Sequence, residues 1–185
     1  MTLSKIFLLF VFVVNINANS VNSGHAEISL IKYNQSELSN NKNLIGIKMD
    51  MQKNWHTYWK NPGDSGGPIK IIWNTSENIS IGQIKWPTPE LIPYDPLMTY
   101  GYKDFVIFPF EYVKNFDGDA DIKLDLDFLI CDDVCIPEKA KIQTTLNDIK
   151  EDDQLVDWNN KVPKTVLPVL SSINNGFIEL RFSFN

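Results

Sequence analysis

Apolar and charged side chains alternate strictly over residues 121–128, and the run to residue 130 constrains the fold more than any other segment. Its even positions carry Ile, Leu, Leu, Phe and Ile, and its odd positions carry Asp, Lys, Asp and Asp before Leu129. Successive side chains of a β-strand point to opposite faces of the sheet. The run therefore predicts a half-buried strand whose even positions face a hydrophobic core.

Short apolar runs of the same kind, separated by Asn, Gly, Pro and Asp, occupy the chain up to about residue 148. None is a long run at the helical period, and parallel strands would need helical crossovers for which this spacing leaves no room. The pattern predicts an all-β fold, an antiparallel β-sandwich of immunoglobulin-like topology. Pro109 lacks an amide donor, so its strand is expected at a sheet edge or at a bulge. The predicted strands are 26–33, 44–51, 55–60, 69–73, 79–86, 105–113, 122–130 and 136–146.

The last part of the chain, residues 148–185, has a different pattern. Residues 148–160 are acidic, with Leu155 and Trp158 three positions apart, which predicts a short helix or a linker. Two further strands are expected at 166–173 and 177–184. We therefore expect a linker and a partial, or truncated, second β unit to follow the sandwich.

The first twenty residues have the pattern of a secretory signal peptide. Lys5 precedes a nine-residue apolar run at positions 6–14, and small and polar residues follow. Nine apolar residues are far fewer than the roughly 20 that span a bilayer. Cleavage is expected near Ser20, with cleavage after Ala18 as the alternative, and the exported chain would reach a compartment that permits disulfides. A net charge of -6 argues against nucleic acid as a partner.

Two cysteines follow directly on the alternating strand, in the sequence Cys131-Asp-Asp-Val-Cys135. A three-residue loop predicts a hairpin, in which directly opposite Cβ atoms lie roughly 4.5 to 5.5 Å apart, close to what a disulfide requires. Position 131 is odd, whereas the core face of the strand is even. We therefore expect the sulfur of Cys131 to lie on the non-core side, where it is accessible.

The residue pattern leaves three interpretations of this pair open. A structural disulfide is one, although a bridge that closes about five residues stabilises much less than the roughly 3 kcal/mol of a 15-residue loop. A metal site is another, but two thiolates need further ligands, and His25 and His56 are distant in sequence. A redox pair is the third. The acidic residues Asp132 and Asp133 disfavour a thiolate, which suits electron delivery better than oxidation.

Several other side chains have two interpretations. Trp55, Tyr58 and Trp59 could form a wall around the cysteines or could simply pack in a strand. Met49, Met51, Met98 and His56 form a second set, which could bind copper. The alternation of Met49 with Met51 equally fits the packing of one strand face.

The segment from Cys131 to Glu138 resembles the redox hairpin of the N-terminal periplasmic domain of the DsbD thiol:disulfide interchange proteins. Residues 55–66, 84–89 and 100–109 are similar, in the same order, to the ScsB-type suppressors of copper sensitivity and to stand-alone DsbD-like proteins. The resemblance covers about residues 26–146, so residues 21–147 are identified as a DsbD N-terminal-like redox domain.

The resemblance implies a function for the sandwich. It would be the periplasmic component of a protein-disulfide reductase, receiving electrons from a membrane-embedded thiol reductase. It would pass them to periplasmic disulfide proteins, including those of cytochrome c biogenesis. Cys131 and Cys135 would carry the exchange, with no cofactor and no metal. A non-catalytic adaptor with a structural disulfide and a copper-binding protein remain the alternatives.

The resemblance also implies a cap loop that shields the pair, at about residues 96–102. The shielding candidates are Met98, Tyr100, Tyr102, Tyr58 and Trp59. The chain departs from the best-known members because Leu97 and Thr99 flank Met98 where those have acidic residues and a Phe, and because its cysteine spacing is shorter. The family's membrane carrier and thioredoxin-like domain are absent from these 185 residues, so the electron source is another protein or the chain is a fragment.

Overall fold

The structure, a computed structural model, describes residues 18–34, 43–164, 170–174 and 177–181. Most of the predicted signal peptide therefore lies outside the described residues. In chain order the elements are β1 (Ser20–Asn22), β2 (Ala26–Tyr33), β3 (Asn43–Met51), β4 (His56–Gly63), β5 (Lys70–Thr75), β6 (Ile79–Ile81), β7 (Glu90–Tyr94), β8 (Leu97–Lys103), β9 (Phe105–Lys114), β10 (Asp121–Cys131), β11 (Cys135–Thr145), β12 (Lys150–Glu151), α1 (Gln154–Asn160), β13 (Leu170–Asn174) and β14 (Phe177–Arg181).

Two sheets form the sandwich. The first has the strand order β1-β2-β3-β9-β6, with β12 beside β2. The second has the order β11-β10-β4-β8-β7, and β5 also pairs with β10. Neighbouring strands are antiparallel except for the short β12–β2 pair. The prediction of an all-β antiparallel sandwich is confirmed.

Side chains from both sheets meet in one hydrophobic core. The even positions of β10 from Ile122 to Ile130 are at most 4% exposed, whereas positions 121–127 of the odd face are exposed. Alternation in the sequence therefore gives the correct buried face. Full burial of one such side chain stabilises the fold by roughly 1.5–3 kcal/mol. The facing sheet contributes Ile45, Ile47, Met49, Phe108 and Phe110.

The strand that contains Pro109 is not at a sheet edge, because β9 lies between β3 and β6. However, β6 pairs only with the end of β9, and the predicted strand 79–86 ends at Ile81. Beyond it, the amide of Lys85 donates to the Pro109 carbonyl, at 2.9 Å. The Pro109 nitrogen faces the same side, away from β3, so its missing donor removes no bond from the β3–β9 ladder.

Residues after the predicted boundary at 147 contact the sandwich. β12 pairs with β2, and the predicted short helix is present as α1. Leu155 of α1 is fully buried against Ile31 and Ile107, and the Trp158 ring meets Phe105 at 5.5 Å. β13 and β14 form a hairpin, and the rest of the two strands predicted there lies outside the described residues. The boundary at residue 147 stays a prediction.

Within the described part of the chain, no helix is long and apolar enough to cross a membrane.

Candidate functional site at the cysteine hairpin

The β10–β11 hairpin brings the two cysteines together. Its register runs without interruption from the pair Asp121–Thr145 to the pair Cys131–Cys135. The two cysteines form a disulfide across a three-residue loop, with their Cα atoms 4.1 Å apart. The alternation that specifies the strand thus also places the two cysteines opposite each other.

A buried carboxylate connects this hairpin to the start of the sandwich. Glu138 of β11 is 7% exposed. Its carboxylate accepts hydrogen bonds from the Ser23 hydroxyl at 2.5 Å and from the His25 amide at 3.1 Å, and it lies 2.6 Å from His25 Nδ1. The His25 ring stacks on Trp55, with ring centroids 4.0 Å apart. These contacts satisfy a buried charge and fix β11 three residues beyond Cys135.

The two cysteines differ sharply in exposure. Cys131 is 1% exposed, whereas Cys135 is exposed. The sequence correctly puts Cys131 on the non-core face of β10, but the expectation that this face leaves it accessible is not met. The main residue that covers it is Tyr58 of β4, one of the predicted shielding candidates.

Tyr58 of β4 is the main cover. Its hydroxyl donates a hydrogen bond to Cys131 Sγ at 2.9 Å and lies 3.3 Å from Cys135 Sγ. The side chain is 2% exposed, and burial raises the pKa of its hydroxyl, with a smaller opposing effect from a hydrogen bond to Ser65. Tyr58 therefore stays protonated at neutral pH and can donate to sulfur. Such a bond is stronger when the sulfur is a thiolate.

Two glycines allow close packing around Tyr58. Gly66 has φ +87°, and a Cβ atom on it would lie 2.2 Å from Tyr58 Cζ. Gly101 stands opposite Tyr58 in the β4–β8 register, and a Cβ atom there would lie 2.1 Å from the Thr57 carbonyl oxygen. Only glycine allows the loop after β4 and strand β8 to approach this closely.

A cavity of about 90 Å³ adjoins the disulfide. Its lining combines polar and apolar residues. Its lining residues are Cys131, Cys135, Asp132, Asp133, His56, Tyr58, Ser65, Ile92, Leu97 and Thr99. A space of this size holds water molecules but no ligand of cofactor size, which fits chemistry carried by the sulfurs themselves.

The region expected as a cap loop is a β-hairpin, β7–β8, which we call the cap hairpin. Ile92 and Thr99 point into the cavity and are 5% and 3% exposed, and Leu97 also lines it. Asp64 fixes the cap hairpin, because its carboxylate accepts from the Met98 amide at 2.9 Å and its own amide donates to the Met98 carbonyl at 3.0 Å. Thus Ile92, Leu97 and Thr99 form the cap-hairpin side of the cavity wall.

The shielding candidates therefore separate into groups. Tyr58 reaches the sulfurs, whereas Met98 and Tyr100 lie outside the cavity lining and are 38% and 39% exposed. The structure does not bring Tyr102 or Trp59 to the sulfurs. Tyr102 is buried in the core, where its hydroxyl donates to the Pro87 carbonyl, and Trp59 packs against the same core.

The residues weighed for copper do not meet. Met49 and Met51 are buried in the core of the sandwich, whereas Met98 is exposed on the cap hairpin and His56 lines the disulfide cavity. Among the residues that the structure describes, no group of three or more His, Cys, Asp and Glu side chains could hold a metal ion. Met49 and Met51 therefore serve packing.

Sequence reasoning did not place His56 beside the cysteines. It pairs directly with Cys131 in the β4–β10 register and with Lys103 in the β4–β8 register. Burial lowers the pKa of His56, as does the positive charge of Lys103, while Asp132 has the opposite effect. The signal available in the sequence was the spacing of two between His56 and Tyr58, which places both on one strand face.

Comparisons with known proteins agree with this arrangement. Residues 29–147 match the family described as thiol:disulfide interchange protein DsbD, N-terminal. The chain belongs to this DsbD N-terminal family. Its structure is similar to the crystal structure of the N-terminal periplasmic domain of ScsB from Proteus mirabilis, with a TM-score of 0.61 and 25% sequence identity. That similarity covers 84% of this chain and 64% of the ScsB chain. No curated protein sequence matches the chain.

These findings confirm the family resemblance given by the sequence motifs. The family match and the Cys131–Cys135 disulfide together indicate thiol-disulfide interchange as the general activity of this DsbD N-terminal family member. The chain spans just under two thirds of the ScsB chain that it resembles.

Proposed function

We propose that Cys131 and Cys135 form a redox-active disulfide through which the chain exchanges electrons with partner proteins. The observation that carries the proposal is the unequal exposure of the pair: Cys135 is exposed, and Cys131 is 1% exposed beneath Tyr58. Thiol-disulfide exchange needs one sulfur that a partner can reach and a second that resolves the mixed disulfide. Cys135 suits the first role and Cys131 the second.

Reduction begins when a donor thiolate attacks Cys135 Sγ. The S–S bond of the chain breaks, and its electron pair leaves on Cys131 Sγ, which accepts the hydrogen bond of Tyr58. A second donor thiolate then attacks the donor sulfur of the mixed disulfide and releases Cys135. The donor ends as a disulfide and the chain as a dithiol, a two-electron transfer. Delivery to an acceptor disulfide runs through the same steps in reverse.

The negative charges at the hairpin loop favour delivery of electrons to partners. Asp132 and Asp133 are both exposed beside the pair, where negative charge disfavours thiolates. A dithiol that is not stabilised by cations gives up its electrons more readily than that of a strong oxidase. We therefore assign the chain to the reducing direction.

An apolar rim around the exposed sulfur suits contact with protein partners. Val134 in the hairpin loop is 63% exposed, and Leu97 of the cap hairpin, which lines the cavity beside Cys135, is 37% exposed. Grouped apolar side chains at a surface are typical of interaction sites. A partner that carries its own cysteine pair can cover this rim while its thiolate reaches Cys135.

The partners that we propose follow from the family. The chain would be a component of a protein-disulfide reductase in the periplasm. It would take electrons from a membrane-embedded thiol reductase and deliver them to periplasmic disulfide proteins, including those of cytochrome c biogenesis. The family match and the periplasmic origin of the similar ScsB domain support this assignment.

A purely structural disulfide is the competing function. The β10–β11 ladder already pairs every position from Asp121 to Cys131 with β11, so a bond at its end adds little constraint. The bridge also closes only about five residues, for which the entropic stabilisation is small.

Electron transfer by the native protein tests the proposal. The oxidised chain is mixed with a reduced thioredoxin-like donor, and thiols are counted with time by mass after alkylation. We expect rapid reduction of the folded chain, which then reduces a second disulfide protein, and no relay by the double variant C131S/C135S. A native disulfide that resists the donor until denaturant unfolds the chain would support the structural function and overturn the proposal.

A further inference from the structure

A proton must enter or leave the site each time that Cys131 changes between disulfide and thiol. Cys131 is 1% exposed, so bulk water has little access to its sulfur. An apolar, buried position disfavours a free thiolate. The Tyr58 hydroxyl cannot take this proton, because burial raises its pKa and keeps it a donor. The site therefore needs a second group that accepts a proton at neutral pH.

His56 has the position for this task. It stands directly opposite Cys131 in the β4–β10 register, where paired Cβ atoms lie roughly 4.5 to 5.5 Å apart. Its ring contacts the Tyr58 ring edge-on, with centroids 5.3 Å apart, and Tyr58 in turn bonds Cys131 Sγ. His56 and both cysteines line one cavity of about 90 Å³, which is large enough for a bridging water.

We propose that His56 accepts the proton of the Cys131 thiol when Cys131 resolves a mixed disulfide at Cys135. This role rests on the proposed exchange function and deepens it. No carboxylate of the cap hairpin lines the cavity, and its lining from β7 and β8 consists of Ile92, Leu97 and Thr99.

The step balances in atoms and electrons. The Cys131 S–H proton moves to the imidazole, and the resulting thiolate attacks Cys135 Sγ. A Cys131–Cys135 bond forms, the bond between Cys135 and the partner sulfur breaks, and the electron pair leaves with the partner as a thiolate. The imidazolium then returns its proton to that thiolate. When a donor reduces the chain, the steps run in reverse: His56 takes the proton of the donor thiol, and the resulting imidazolium protonates Cys131 as it leaves.

Charged groups face His56 from two elements. Lys103 on β8 faces it in register, and Asp132 and Asp133 on the hairpin loop line the same cavity. Burial lowers the pKa of His56, Lys103 lowers it further, and Asp132 raises it. Because its pKa is lowered, the imidazole stays neutral at neutral pH and can accept a proton.

The test resolves the reaction of Cys135 from the later reaction of Cys131. The reduced chain is mixed with excess 5,5′-dithiobis(2-nitrobenzoate) in a stopped-flow instrument. The first thionitrobenzoate is released when Cys135 attacks the reagent, and the second when Cys131 resolves the mixed disulfide. We expect H56N to slow the second phase on the order of 100-fold at pH 7, to move its midpoint to higher pH, and to leave the first phase unchanged.

Three charge variants keep the test independent of the folding of H56N. The midpoint of the second phase follows the pKa of His56, so D132N moves it to lower pH and K103M moves it to higher pH. D133N is the matched control and leaves it in place, since Asp133 is not among the groups that shift His56.

Equal pH profiles for H56N and the parent chain, or shifts of D132N and K103M in the same direction, overturn the role of His56. If neither phase occurs in the parent chain, the proposed exchange function fails instead. The two failures are therefore distinguishable.

Discussion

The hydroxyl of Tyr58 lies 2.9 Å from the sulfur of Cys131, although 73 positions separate the two residues in the chain. Strand β4 makes this contact possible by crossing the end of β10, where the Thr57 hydroxyl also donates to the Leu129 carbonyl at 3.0 Å. The buried sulfur thus has a fixed donor, and this donor matters most when the sulfur carries negative charge.

Replacing Tyr58 with Phe removes that donor and keeps the ring. Hydrogen bonds to charged groups contribute about 1.5–3 kcal/mol, so Y58F should slow reduction of the disulfide by about 10- to 100-fold. The measurement is the rate of reduction by dithiothreitol under native conditions. Tyr100→Phe, on the outer face of the cap hairpin, is the control and should react like the parent chain. Equal rates for Y58F and Y100F would exclude a role for the hydroxyl.

Gly66→Ala should displace Tyr58. The new methyl group would lie 2.2 Å from Tyr58 Cζ, and φ +87° strains any residue with a Cβ atom. Gly118→Ala is a matched control, because Gly118 has φ +108° with nothing within 4 Å of its Cβ position. Backbone strain costs about 1 kcal/mol at both sites, and the clash adds about 1–3 kcal/mol at Gly66 alone.

Urea unfolding measures this difference in the free energy of unfolding, and the disulfide reduction rate shows whether Tyr58 has moved. A loss of stability that is the same in G66A and G118A would mean that the loop after β4 does not press on Tyr58.

The cysteine pairing, the fold class and Tyr58 as a shielding candidate could be predicted from sequence, whereas the burial of Cys131 could not. Alternation in β10 and the short loop are local signals, and they correctly gave the register that ends at Cys131 and Cys135. The contacts of Tyr58 and His56 depend on the pairing of β4 with β10, which no local pattern specifies. The cap hairpin was missed for a related reason, since Pro93 and Pro96 mark the segment as a loop.

The N-terminal segment offers a test of where the folded unit begins. The Asn19 carbonyl accepts from the Leu30 amide at 2.9 Å, and its side chain bonds the Asp148 carbonyl at 2.6 Å and the Thr144 hydroxyl. A chain that starts at residue 21 loses all three bonds, whereas one that starts at residue 19 keeps them.

We expect the shorter chain to be less stable by about 1–3 kcal/mol in urea unfolding. Asn19→Ala in the longer chain should lower the free energy of unfolding by the share that the two side-chain hydrogen bonds contribute. Equal stability of the two truncated chains would show that these bonds contribute nothing, and cleavage near Ser20 would then leave the fold intact.

The loop acids should set the direction of electron flow. Removal of both negative charges in D132N/D133N makes the dithiol easier to form, so the reduction potential should rise. Both residues are exposed and screened by salt, which limits the rise to less than about 30 mV. Equilibration with glutathione measures the potential. A parent potential as oxidising as the roughly -120 mV of a dedicated oxidase would contradict the reducing direction.

The most direct test of the account is to trap the mixed disulfide. Two variants, C131S and C135S, are each mixed with a thioredoxin-like donor that has lost its resolving cysteine and whose remaining cysteine is activated as a mixed disulfide with thionitrobenzoate. The account predicts a rapid covalent complex through Cys135 in C131S and a much slower one in C135S, where the remaining sulfur lies beneath Tyr58. Equal rates for the two variants, or faster trapping through Cys131, would contradict it.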